Sequence, residues 1–226
     1  MDHLTFKKVK NLKIFSFIPL LFLTCLSPFQ SIFEVVENQN PLGVYNELWN
    51  KPLYEACNTG KNTPYLSNRE KDILYVLNLI RQYPQQFTET VLGFWPEKQG
   101  TPKLRQTSYF ISLVEELSVL SPKAILTPDS LAWVSARCHA ISSGKNSYTG
   151  HERQSTLCTQ QKYFHAECCH YGFSDPVEII LSLLIDEGVP SLGHRKVMLD
   201  DQYKKVGVSF APHKKYENNT VLNFLR

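Results

Sequence analysis

Several absences bound this chain before anything present is weighed. Neither HExxH nor Gly-x-Ser-x-Gly occurs, which removes the commonest metalloprotease helix and the serine-hydrolase elbow. His165-Ala166-Glu167 matches the His-x-Glu half of a zinc deaminase, but the Pro-Cys-x-x-Cys half is missing, since no cysteine follows Cys169. No internal repeat or low-complexity tract is visible. The one concentrated apolar run, residues 14–26, is too short to span a bilayer. Net positive charge is lacking away from the start: of a formal charge of +3, Lys7, Lys8, Lys10 and Lys13 all precede that run, and the remainder is near neutral. That leaves no electrostatic footprint for nucleic acid.

What is present suffices for one substantial core, with 226 residues, 42% apolar and 12% aromatic. A basic segment followed by a short apolar one has the shape of a secretory signal, so residues 1–30 are read as a signal peptide. This implies a secreted or periplasmic protein with no transmembrane span in its mature chain. Cys25 only loosely resembles a lipoprotein box, and acylation there is the less favoured alternative. Residues 31–66 mix polarity with Pro, Gly and Asn and read as a leader or strap, with the packed domain over residues 67–226. Export would place the mature cysteines where disulfides persist. Loss of Cys25 leaves an odd number, Cys158 can pair with Cys168 or Cys169 across a short loop, and Cys138 reads as a small buried residue on a helix.

Ser67-Asn68-Arg69-Glu70 is a capping box, and Ile73, Leu74, Leu77 and Ile80 repeat behind it at helical spacing until Pro84. Residues 94–106 read as a loop and residues 109–120 as a helix. Thr127-Pro128 predicts an N-cap with proline at the first helical position. The inner stripe of that helix is expected to be Leu131, Val134, Cys138 and Ile141, with Trp133 in the core and Gly144 as the stop. Residues 145–165 read as a long loop. Asp175-Pro176 opens another helix with Val177, Ile180, Leu181 and Leu184 inward, ending at Gly188. His194 begins a last helical turn through Leu199, and residues 206–211 and 221–225 alternate as a hairpin. Helices first and an antiparallel sheet late make the fold α+β, with layers stacked on that sheet.

The chemistry-bearing residues cluster late in the chain. Histidine follows glycine twice, at Gly150-His151 and Gly193-His194, with Glu167 between them and Asp186 and Glu187 just before the second. Two imidazoles plus carboxylates make a ligand set that suits Zn²⁺ or another borderline divalent ion. Each carboxylate can equally hold a histidine in one tautomer. Cys168 or Cys169 with His151 or His194 is a more remote Cys/His hydrolase arrangement.

These pieces resemble the CAP superfamily (cysteine-rich secretory, antigen 5 and pathogenesis-related 1 proteins), in its bacterial SCP-like branch. The resemblance is carried by Gly150-His151, by Ala166-Glu167-Cys168-Cys169-His170-Tyr171-Gly172, by Gly193-His194-Arg195-Lys196-Val197-Met198-Leu199, by Asp175-Pro176 through Ser191, and by Asn78-Leu79-Ile80-Arg81. It covers about residues 67–226 and implies a three-layer α-β-α sandwich with a central antiparallel sheet. It also implies a cleft lined by His151, Glu167, Asp186 and His194, the two histidines being able to hold a divalent metal, and lipid or sterol binding in some relatives. Cys168 stands where the family has asparagine, and Leu183 where an aromatic is frequent. The expectation is an exported binding module for an unknown small-molecule, lipid or protein ligand. The alternative is a hydrolase in which metal or histidine activates water and Glu167 or Asp186 serves as base.

Overall fold

A computed structural model describes residues 40–226. The expected signal peptide and Cys25 lie outside the described residues.

The fold is α+β, with three layers. Four strands, β1 (Thr127–Pro128), β2 (Ala166–Tyr171), β3 (Lys205–His213) and β4 (Glu217–Leu225), form one sheet in the order β1-β3-β4-β2. The three long strands are antiparallel, and β1 adds a two-residue parallel pairing to β3. β2 is therefore an edge strand, paired on one side only. Its register on β4 sets Glu167 opposite Asn223, Cys168 opposite Leu222, Cys169 opposite Val221 and His170 opposite Thr220.

The helices run in chain order α1 (Asn68–Gln82), α2 (Pro84–Phe87), α3 (Trp95–Lys98), α4 (Ser108–Val119), α5 (Ser130–Asn146), α6 (Thr156–Gln160), α7 (Pro176–Ile185) and α8 (Gly193–Leu199). α5 covers one face of the sheet, while α1, α7 and α8 cover the other. The capping box of α1 forms as expected, and Glu70 also accepts from Phe210 N–H of β3 at 3.0 Å, tying helix start to strand. Asp175 caps α7 by accepting from the Val177 and Glu178 amides. Val177, Ile180, Leu181 and Leu184 are all buried.

α5 departs from its expected packing. Leu131 is 58% exposed and Val134 36%, while the buried side is Ala132, Ser135, Ala136, His139, Ala140, Ser143 and Gly144. The helix lies so close to the sheet that large side chains cannot sit between: a Cβ on Gly207 of β3 would come within 2.1 Å of the Ala132 and Trp133 backbone. Gly144 does not end the helix, which runs to Asn146. It is small because Pro212 O would meet a Cβ there at 2.1 Å. Asp129, not Thr127, is the N-cap, because Thr127 and Pro128 are drawn into β1. Trp133 is only partly buried, its ring packed at a tilt of 44° against Tyr65.

Other differences have equally local causes. Residues 40–66 are part of the packed body, since Leu42, Trp49, Tyr54 and Cys57 are buried in the main core and Trp49 Nε1 donates to Thr90 Oγ1 at 2.9 Å. Within residues 94–106 lie α3 and a 3-10 turn, Pro102–Gln106, and within residues 145–165 lies α6. The disulfide joins Cys138 to Cys158. Cys168 and Cys169 are buried and free, and strand alternation places them on opposite faces of β2. No described helix is long and apolar enough to cross a membrane.

Candidate functional site

The alternation of β2 sorts its side chains. Glu167, Cys169 and Tyr171 share the face that Asn223 and Asn219 present to α5, whereas Cys168 and His170 share the opposite face with Leu222.

On the α5 face Glu167 is the hub, its side chain only 2% exposed. Arg153, itself 4% exposed, grips both oxygens, Nη2 to Oε2 at 2.6 Å and Nη1 to Oε1 at 3.0 Å. His151 Nδ1 donates to Oε1 at 3.1 Å. With its nitrogen turned to the carboxylate, the Asn223 amide donates to Oε2 at 2.8 Å while its oxygen accepts from Ser135 Oγ and the Ala136 amide. Burial alone would push the Glu167 carboxyl up. The hydrogen bonds from His151 and Arg153, together with the Arg153 charge, outweigh it and hold the group below its ordinary value. Tyr171 secures the loop from below, its hydroxyl accepting from Gly150 N–H at 2.9 Å.

His139 of α5 completes this buried network. Its Nε2 donates to Gly150 O at 2.9 Å and lies 4.0 Å from Glu167 Oε1. Burial drives its pKa down despite Glu167, so the ring is held neutral.

On the other face His194 and Asp186 pair. Asp186 is the left-handed residue that ends α7, at φ 60°, a conformation aspartate tolerates. Its carboxylate thereby turns back to the start of α8, accepting from His194 Nδ1 at 2.7 Å and from His194 N–H at 2.9 Å. Glu187 is exposed and makes no such bond. Arg195, 1% exposed, fixes α8 from behind by donating to Leu184 O, Ile185 O, Tyr109 O and Ser112 Oγ. The pair opens on a cleft of about 430 Å³ whose walls include Trp95, Leu104, His170, Phe173, Leu183 and Val189. His170 is 5% exposed and its ring stacks on Phe173.

The four expected residues thus form two histidine–carboxylate pairs. Asp186 and His194 line the cleft, and His151 and Glu167 are not among its walls. Sequence reading missed Arg153, His139, His170 and Trp95. Arg153, two residues after His151, carries no motif; Trp95 sits in a segment read as a loop, His139 on a helix but off its expected inner stripe, and His170 inside the Ala166–Gly172 segment without being singled out.

Among the described residues, one group of metal-capable atoms lies mutually within 4.8 Å: His139, Glu167 and Cys169. Its donors fit an ion poorly. Glu167 is already gripped by a guanidinium and burial holds the Cys169 thiol protonated, so only His139, whose Nδ1 keeps an unpartnered lone pair, is free to ligate. Burial likewise raises the Cys168 thiol, so neither cysteine supplies a thiolate nucleophile.

The match to a protein-family model covers residues 125–224, the model being that of the cysteine-rich secretory protein family, CAP. Among solved structures, an extracellular protein containing a SCP domain from Bacillus anthracis is 22% identical, with a TM-score of 0.35, over 52% of this chain and 38% of that one. No curated protein matches.

A stability prediction follows from His170. Burial, with a smaller effect of the His194 charge, pushes its pKa down to about 4. The ordinary imidazole value is about 6.5, so between the two values the unfolded chain binds the extra proton. Stability is then present at neutral pH and lost as pH falls: about 2 kcal/mol should disappear between pH 7 and pH 5. Urea unfolding across that range should show the slope in the wild type and a shallower one in His170→Gln, the remainder coming from His139, whose pKa burial also lowers. Equal slopes would refute the assignment.

Proposed function

We propose, from the match of residues 125–224 to the model of the cysteine-rich secretory protein (CAP) family, that this is an exported, non-enzymatic binding module of that family. Its ligand occupies the cleft between β2, α7 and α8. The observation that carries the reading is the His194–Asp186 pair fixed beside an open, mainly apolar cleft of about 430 Å³, within the size range of small-molecule sites. Export is supported by the Cys138–Cys158 disulfide, which persists in an oxidising compartment, and by the signal-like N-terminal sequence.

Hydrolysis is the weaker reading. A general base needs a free lone pair aimed at water. Glu167 is saturated by Arg153, His151 and Asn223, and Asp186 by the His194 ring and amide. The small molecules retained by the purified protein, read by mass spectrometry after denaturing extraction, test the proposal. The wild type should carry an apolar species that Val189→Trp, which fills the cleft, has lost. Identical extracts from both proteins would sink it.

Zn²⁺ is a second reading, favoured by one observation: both His151 and His194 give Nδ1 to a carboxylate, the arrangement that leaves Nε2 as a metal-facing lone pair. Calorimetric titration with zinc should give heat on the wild type, less on each of His151→Ala and His194→Ala, and none on the double variant. Equal heats for all four would contradict it.

A further inference from the structure

Val134, Cys138 and Ile141, expected on the inner side of α5, instead line a groove on its outer side, against α6. The groove holds about 420 Å³ and shares no lining residue with the cleft beside α7 and α8. We propose that it binds an apolar organic anion, a small carboxylate or sulfonate with a compact hydrophobic body. This site stands independently of the cleft reading.

The apolar lining is Trp133, Val134, Ile141 and Leu157, with the Cys138–Cys158 disulfide. Leu157 is 58% exposed and Val134 36%, so a ligand seated here removes apolar surface from water. The disulfide ties α6 to α5, and two walls already held together need little ordering on binding. The polar lining is Arg137, Ser142, Lys145, Ser155 and Gln161. Ser142 Oγ donates to His139 O at 3.2 Å, and Ser155 Oγ, the N-cap of α6, accepts from Cys158 N–H at 3.2 Å. The Ser155 hydroxyl proton and the Gln161 amide are neutral donors that a carboxylate can use.

Charge selects the ligand's sign. Arg137 and Lys145 are exposed, neither forms an ion pair among the described residues, and no aspartate or glutamate lies on the lining. They share one helix row with Ile141, about 12 Å apart along α5. The Arg137 guanidinium lies over the Trp133 ring, 5.5 Å from its centroid, which sets charge beside apolar surface. Glu70 lines the adjoining hollow, but its carboxylate is turned to the Ser67 and Phe210 amides. A cation meets like charge here, a neutral molecule leaves both side chains idle, and an anion gains charge-assisted hydrogen bonds. A second copy of the chain docked face to face would set Arg137 and Lys145 against their own equivalents, which opposes self-association through this face.

Three matched ligands test the sign: 2-naphthoate, 2-naphthalenemethanol and 2-naphthylmethylammonium, titrated into the protein and followed by nitrogen–proton correlation spectra. The carboxylate should bind tightest and the ammonium weakest, with shifts on the amides of α5 and α6, and added salt should weaken the carboxylate but not the alcohol. In the double variant Arg137→Gln, Lys145→Gln, carboxylate affinity should fall about tenfold while that of the alcohol holds. Leu157→Glu, at an exposed position, should favour the ammonium instead. Val189→Trp, which fills the cleft, should leave all three titrations unchanged. Carboxylate binding no tighter than that of the alcohol, indifference to the double variant, or shifts that appear only around the cleft and vanish in Val189→Trp would overturn the proposal and leave the cleft reading standing.

Discussion

The pairing of β2 to β4 is the constraint on which the site depends. One antiparallel register, Glu167 opposite Asn223 and His170 opposite Thr220, decides which acid meets which histidine. Side chains alternate along a strand, so a slip of one residue would send Glu167 toward α7 and α8 and His170 into α5. Held as it is, the strand divides the polar chemistry into a buried network beneath α5 and an open cleft beside α7 and α8. Because β2 is an edge strand, the cleft can form along its free side, with Cys169 and Tyr171 reaching the lining from one face and His170 from the other.

Buried charge explains why the two halves differ in character. On the α5 side, Glu167 and Arg153 are both desolvated, and such a pair is tolerable only when its remaining hydrogen-bonding capacity is met. His151 and Asn223 meet most of it, leaving the carboxylate fully engaged and structural. Arg81 is satisfied by the backbone carbonyls of Ala124, Met198, Asp200 and Tyr203, and Arg195 by three carbonyls together with Ser112 Oγ and the Glu116 carboxylate. They brace α8 and the segment after it without entering the cleft. His194 keeps 23% of its side chain exposed, and the apolar wall opposite it is what remains available to a ligand.

Much of the architecture was legible because local signals agreed with tertiary packing. The Ser67–Glu70 box, the Asp175-Pro176 start and the terminal hairpin each formed where residue chemistry placed them. α5 was misread because amphipathic spacing finds the side where large apolar residues lie, and here close approach to the sheet selected small and polar ones instead. Residues 40–66 looked like a strap since they lack period, yet Trp49 and Tyr54 anchor them by burial and by hydrogen bonds to Thr90 and Gln86. Among the site residues, the types were readable but not their pairing. The resemblance pointed to one cleft for His151, Glu167, Asp186 and His194, and the division between faces rests on a strand register that no spacing in the sequence encodes.

Energetic independence of the two pairs tests that division most directly. A double-mutant cycle of Glu167→Gln and Asp186→Asn, read by urea unfolding at neutral pH, measures their coupling. Carboxylates held by separate hydrogen-bond partners should add to within about 0.5 kcal/mol, and that is the predicted result. A coupling above about 1 kcal/mol would mean that the two carboxylates share one site, and would contradict the account.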